Sequence, residues 1–409
     1  MKTTFIDTRL VKYALLFSSI TLMVIYGSLS SVYAISLTDY TFPESSSQQG
    51  HVKSDFSLSN ELDPNKPKQS GYHLGGIVSY DRFYTSLPFE YTVKFAGTFD
   101  FDKGTDKGAD SDQDYDMDLK TDLKKYISDE SSVFGLGAVD LEYRKQPSAD
   151  EADDVYAVVR VGAGYGRRVD ATVLKQAMRI NEDLKKYNVI KQDIPDNAML
   201  ELARIIAREN EYQSKYSDEE YKKYWYEDME KIIRESGTLS HETLGAMGII
   251  RIQEILDEHH TGLRLYGWQA SAAVGLVISD FEGEKGDPDL LLKFEWARPL
   301  TLQLQLNNTT FAKTVFADDQ TYTLNEAFEV YYELSDKIDW NNTFTINYDI
   351  LTAKDKYNTL TLKFASTYYF YLANQLTLEP NFTYSYVDDG VDDTTWNWKF
   401  SGSVDYRFL

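Results

Sequence analysis

The sequence predicts a mainly β fold: an antiparallel transmembrane β-barrel of about fourteen strands, interrupted by an insert of about four α-helices. Three observations point there. Apolar and polar residues alternate along one stretch after another, the pattern of strands that bury one face and wet the other. The alternation breaks once, between 169 and 261, where the period lengthens to that of a helix. The chain also carries 31 tyrosines and 6 tryptophans but no cysteine, a composition suited to the aromatic girdles of a membrane barrel.

The N-terminus opens with Lys2, Arg9 and Lys12, followed by an apolar run over 13–29 and by Ser30, Ser31, Val32, Tyr33 and Ala34. A basic flank, an apolar core and small residues framing Tyr33 predict a signal peptide, 1–34, cut after Ala34. The competing reading is an uncleaved anchor. A short N-terminal periplasmic segment, 35–51, would follow. Strands are then expected at 52–62, 70–84, 88–102, 113–127, 133–145 and 154–168, the first half of the barrel (52–168). The second half (262–409) supplies 262–281, 289–298, 300–313, 321–335, 338–351, 356–371, 375–387 and 394–408. The last strand is the clearest: Trp396, Trp398, Phe400, Gly402, Val404, Tyr406 and Phe408 share one face, and Asn397, Lys399, Ser401, Ser403, Asp405 and Arg407 the other.

Joint lengths alternate too. Odd-numbered joints are long and mostly acidic; even-numbered ones are short, the joint near Pro299 being a single residue. Membrane barrels have long outer loops and short periplasmic turns. The helical insert, 169–261, replaces an even joint and is therefore expected in the periplasm. Asp170, Asp196 and Ser240 read as helix caps, and Ser217 with Glu220 as a capping box. Leu202, Ile205, Trp225, Ile232, Leu244 and Ile252 would build the insert's own small core.

The net charge is −23, and removing the signal peptide makes the mature chain more acidic. That argues against nucleic acid as a partner and fits cations or a divalent-bridged lipopolysaccharide layer. No segment after residue 34 is apolar for long enough to span a membrane as a helix. Without cysteine, disulfide and thiolate-metal chemistry is excluded.

The motifs read mostly as structural. Gly162, Gly164 and Gly166 mimic a dinucleotide-binding turn, but Arg167 stands where glycine is required, so they are expected to bend a strand at the rim or make room for a neighbour. Arg167 and Arg168 would then sit at the junction of barrel and insert, tying the two. The acidic tracts 100–114 and 388–393 read as solvated outer loops in preference to calcium sites. Of five histidines, His51 precedes the first strand, His73 lies in the second, and His241, His259 and His260 belong to the insert. No nucleophile signature accompanies them. No cofactor, metal site or catalytic residue is expected.

The inward-facing charges carry the functional signal. Glu90, Lys94, Asp118, Lys120, Asp122, Asp140, Glu142, Arg144, Arg160, Lys293, Glu295, Glu329, Glu333, Lys399, Asp405 and Arg407 fall on polar faces and are the candidates for lining a lumen and setting its selectivity. So many charges of both signs require water or mutual pairing, hence a wet pore or a salt-bridged plug.

At its terminal strand the chain resembles bacterial outer-membrane β-barrel proteins of the porin-like kind. Val404, Tyr406 and Phe408 look like the C-terminal signal read by the barrel-assembly machinery, although the chain ends on Leu409 and not on the aromatic residue. The resemblance implies an outer membrane of lipid and lipopolysaccharide. It also raises the expectation of a channel for small solutes or ions, with the insert gating the pore or docking a periplasmic protein or peptidoglycan. A non-conducting scaffold is the alternative, and a barrel enzyme the third reading.

Overall fold

A computed structural model describes residues 35–42, 45–60, 69–145, 155–217, 220–257, 262–317, 320–351, 357–373, 375–390 and 394–407. The proposed signal peptide, His259, His260, Phe408 and parts of several long loops lie outside them. Fourteen antiparallel strands close into one barrel in sequence order. They are β1 (Ser45–Asn60), β2 (Ser70–Thr85), β3 (Phe89–Lys103), β4 (Ser111–Tyr126), β5 (Val133–Lys145), β6 (Val155–Asp170) and β7 (Leu265–Ser279). β8 (Asp289–Pro299), β9 (Leu304–Val315), β10 (Thr321–Ser335), β11 (Ile338–Leu351), β12 (Tyr357–Ala373), β13 (Leu376–Asp388) and β14 (Thr395–Arg407) complete it. The ring shuts through His51 opposite Arg407 and Val52 opposite Tyr406.

Alternation decides which face is which. Leu74, Leu123, Val161, Leu276, Leu292, Leu324, Phe364, Phe382, Trp398 and Phe400 are exposed on the outer face, and they come from strands all round the ring. No water-soluble monomer tolerates so continuous an apolar belt, whereas a bilayer demands one. Rings gather near both ends: Tyr386 and Trp396 (4.4 Å) towards the long loops, Tyr165 and Trp268 (5.8 Å) towards the short turns. Val404 and Tyr406 also face outwards and are exposed.

Two boundaries differ from expectation. β1 begins seven residues early, so His51 lies within it and the N-terminal segment is shorter than 35–51. The Ser45–Gly50 stretch has no apolar alternation to betray a strand, yet it pairs residue by residue with the end of β2. The single-residue joint at Pro299 is instead a turn over 300–303, where the amides of Leu300 and Thr301 donate to the Leu304 carbonyl.

β6 and β7 approach closely because β6 carries glycine. A Cβ on Gly162 would fall 2.2 Å from the Ala272 carbonyl oxygen and 2.7 Å from Ala273. Gly162→Val is therefore expected to cost about 1–3 kcal/mol or more of barrel stability, as overpacking does. The check is a lower denaturation midpoint, read as loss of the fast-migrating folded band on an unheated gel.

The insert has five helices, one more than expected: α1 (Thr172–Lys186), α2 (Asp196–Ala207), α3 (Glu209–Lys215), α4 (Tyr221–Glu235) and α5 (Gly245–Leu256). None of the proposed caps occupies the N-cap position; Ala171, Pro195, Glu220 and Leu244 do, without side-chain cap bonds. Asp170 still helps one position earlier, its carboxylate accepting from the Thr172 amide at 2.9 Å. Leu174, Ala177, Met178 and Leu184 recur at helical spacing along α1 and meet Leu202, Met229, Ile233 and Ile252 in a fully apolar core. Each of the leucine, isoleucine and methionine side chains contributes about 1.5–3 kcal/mol on burial. No helix among the described residues is long and apolar enough to cross a membrane, which says nothing of the strands.

Candidate functional site

Strand register decides which of the predicted charges meet. On one wall, Lys124 donates to Glu90 at 2.5 Å and to the side-chain amide oxygen of Gln269 at 3.3 Å. Gln269 in turn donates to Glu295 at 2.5 Å, and Glu295 is flanked by Arg168 at 3.0 Å and Lys293 at 3.3 Å. Deeper along the same wall, Arg160 bridges Asp140 and Asp289, the latter at 2.9 Å, with Lys313 at 3.3 Å from Asp289. Arg144 joins Glu142 and lies 3.5 Å from Asp116, while Lys120 meets Asp118 at 3.3 Å. Lys94 stands directly opposite Lys120, and Asp122 beside Thr92.

The opposite wall is more neutral. Glu329 accepts from Asn307 at 2.7 Å and Asn341 at 2.6 Å. Asp405 pairs with His51 at 2.7 Å and Glu379 with Lys53 at 2.5 Å. Lys399 is exposed opposite Thr383. Arg407 stands opposite His51 in register, and its side chain lies outside the described residues.

Towards the long loops the lumen turns acidic. Asp100 lies opposite Asp114 and Asp102 opposite Asp112, with Asp116 and Asp118 following on the same face of β4. Directly opposed carboxylates repel unless water separates them, and these are half-buried or exposed. His73 leans on Asp102 at 2.8 Å. Among the described residues no group of histidine and carboxylate side chains has the geometry to hold a metal ion.

Glu333, near the short-turn end of β10, has a different role. It receives both Lys175 and Arg179 from α1, and Arg264, just ahead of β7, lies 2.9 Å away. Lys175 and Arg264 are wholly buried. Arg264 also donates to the Leu302 carbonyl at 2.9 Å. Burial, together with the neighbouring Arg264 charge, pulls the Lys175 ammonium down to about 7 although Glu333 favours its charged form.

The insert thus meets β10 while its ends are fixed to β6 and β7. It also reaches β1, across the ring from β7: Asn210 donates to Ser46 at 2.5 Å. Between these points the N-terminal segment is held at both ends. Tyr266 of β7 donates to the Tyr40 carbonyl at 2.5 Å, and Arg204 of α2 stacks on Phe42 at 3.4 Å. The insert therefore touches the ring at β1 and β10 as well as where it joins β6 and β7.

Arg167 and Arg168 do not make this connection, contrary to the sequence expectation. Arg167 donates to the Leu87 and Ser131 carbonyls and lies over the Tyr126 ring at 3.8 Å, while Arg168 goes to Glu295. Both tie barrel to barrel, because β6 runs on to Asp170 before the first helix begins. The residues that do the tying, Lys175 and Arg179 of α1, gave no sequence signal, since basic residues on a helix normally face water. Asp289, Lys313, Lys53 and Gln269 also belong to the lumen network without having been singled out.

No protein-family model matches the chain, and no curated protein matches it in sequence. Solved structures do. One is an outer membrane channel from Pseudomonas putida F1, 9% identical over 91% of this chain and 100% of that one, with a TM-score of 0.35. Another is the CymD monoaromatic hydrocarbon channel, 9% identical, covering 93% of this chain and 94% of that one at a TM-score of 0.29. A third is the translocator domain of the autotransporter NalP from Neisseria meningitidis, 9% identical, spanning 100% of both chains at a TM-score of 0.26. These superpositions are loose, and the class rests on the barrel's own features. A closed, even-stranded antiparallel barrel with an apolar exterior and a charged interior is the architecture of outer-membrane β-barrels.

Proposed function

We propose that this protein is an outer-membrane channel for small solutes and ions, cation-preferring at its outer mouth and occluded at its periplasmic end by the helical insert. The observation that carries the reading is the acidic ladder Asp100, Asp102, Asp112, Asp114, Asp116 and Asp118, which supports a water-filled entrance of negative potential. Such a mouth concentrates cations and repels anions. The insert's ties to opposite sides of the ring favour occlusion over docking alone, because a docking module needs no contact with β1 or β10.

Planar-bilayer recording in a salt gradient tests this. A chain lacking 172–262, its strands rejoined by a short linker, should conduct more than the full chain and show a cation-selective reversal potential. Asp112→Asn with Asp114→Asn should move that potential towards zero. Anion selectivity, or no current even without the insert, would remove the channel reading.

A further inference from the structure

We propose that the outward face of β9–β12 is the seat of a two-fold dimer, in which the barrel pairs with a second copy of this chain inside the membrane. Elsewhere the outward face keeps its charges where the membrane meets water. Among the described residues these charges, Arg82, Lys103, Lys125 and Arg298 among them, lie within three residues of a strand end. Glu326 of β10 breaks this rule. It shares its face with Tyr322, Leu324, Phe328 and Val330, opposite the lumen face of Asn325 and Glu329. Apolar side chains therefore flank this carboxylate on both sides along the strand.

The carboxylate belongs to a polar seam. Across the β9–β10 pair, the Asn308 amide donates to Glu326 at 3.1 Å, and the Thr310 hydroxyl donates to the side-chain oxygen of Asn308 at 3.2 Å. Thr310 stands opposite Glu326 in register, and Asn308 opposite Phe328. Asn342 of β11, opposite Val330 and Ser366, extends the seam towards β12. A recess of about 260 Å³ adjoins it on the side of the long loops, walled by Leu292, Ala312, Leu324 and Tyr348. A side-chain amide carries two N–H donors, and a carboxylate two accepting oxygens. Among the described residues, one N–H of Asn308 and one oxygen of Glu326 have no side-chain partner.

A carboxylate facing acyl chains is costly, and such groups occur where other polar groups cover them. Lipid tails offer no hydrogen bond, and head groups lie level with the strand ends. The cover is then protein, presenting donors at the depth of Glu326. A second copy related by an axis along the membrane normal does this by symmetry, because every residue keeps its depth. Its Asn308 brings the spare N–H to the spare oxygen of Glu326, and the reciprocal contact forms at the same time. A ring of three or more chains would set this face against a different one. Among the described residues no other part of the outward face carries an amide or a charge more than three residues from a strand end. A two-fold dimer satisfies the seam, and a ring does not.

Because the chain has no cysteine, single cysteines report the contact. In native outer membranes treated with bismaleimidoethane, Thr310→Cys is expected to give a covalent band of twice the chain mass. Thr121→Cys, on the outward face of β4 across the ring, should give none. Adding Glu326→Leu and Asn308→Leu to Thr310→Cys should slow the cross-link about tenfold, the loss of one or two net hydrogen bonds. That variant should still migrate as the folded band on an unheated gel, since the changed side chains point away from the lumen. Glu326→Gln in the same background keeps an accepting oxygen and should cross-link almost as fast as Thr310→Cys alone. A single-chain band from Thr310→Cys overturns the dimer. A band of three or more chain masses overturns the two-fold arrangement, and a band containing a different protein overturns the choice of partner. Cross-linking that the two leucines leave unchanged shows that the polar seam does not hold the copies together.

Discussion

Glu333→Ala is expected to free the insert from the barrel mouth. Its carboxylate is the shared counter-ion of Lys175 and Arg179 from α1 and of Arg264 at the foot of β7. Two of those three cations are wholly buried. Removing one partner of a buried pair costs about 3–5 kcal/mol, because the charge left behind has no water. Here the stranded cations can recover hydration only if α1 leaves the mouth, so the loss falls on docking before it falls on the barrel. Trypsin should cut within the insert at least tenfold faster in the variant, and single-channel current should rise. Glu329→Ala is the control. It lies four residues away on the same face of the same strand, held by the Asn307 and Asn341 amides and, among the described residues, by none of the insert. Equal proteolysis and current in wild type and Glu333→Ala, or equal effects of the two substitutions, would show that Glu333 is not what holds the insert.

The barrel was legible in the sequence because a membrane strand has one obligation that a reader can see: an apolar residue at every second position. Where that obligation lapses, legibility lapses with it. Ser45 to Gly50 extends β1 beyond the apolar belt and pairs through backbone alone, so nothing in its side chains marked it as strand. Parity proposes the lumen charges, but pairing needs register. Lys94 facing Lys120, and Arg160 reaching both Asp140 and Asp289, are consequences of strand offset that no single strand contains. Asp289 opens the strand expected at 289–298, beside an acidic loop, and alternation alone gives it no partner. Its place in the wall depends on Gly275 across the β7–β8 pair, where a Cβ would fall 2.2 Å from the Asp289 carboxylate. The insert shows the same division. The apolar stripe of α1 was visible, whereas its second buried face, Lys175 and Arg179, takes its meaning from a carboxylate more than 150 residues further along the chain.

Docking of the insert should strengthen as pH rises above neutrality, and Lys175 is the reason. In the docked state its ammonium is lowered from the ordinary value of 10.5 to about 7, first by burial and then by the Arg264 charge. Once α1 leaves the mouth, water restores the ordinary value. Between these two pH values the released insert therefore binds one proton more than the docked one, so each rise in pH favours docking. The slope approaches about tenfold in the docking equilibrium for each pH unit within the window. Below about 7, Lys175 is charged in both states and its contribution to the slope disappears, leaving the full cost of burying that charge. Current through the full chain should accordingly be larger at pH 6 than at pH 8.5. Lys175→Met keeps the length of the side chain without a titrating group, and Arg179 and Arg264 remain to neutralise Glu333. That variant should stay closed at pH 6 and lose the pH dependence over 7–8.5. The carboxylates that could mimic the effect around Lys175, Glu333 and Asp339, are untouched by the substitution, so a slope that survives in Lys175→Met would assign the pH response to them and not to Lys175.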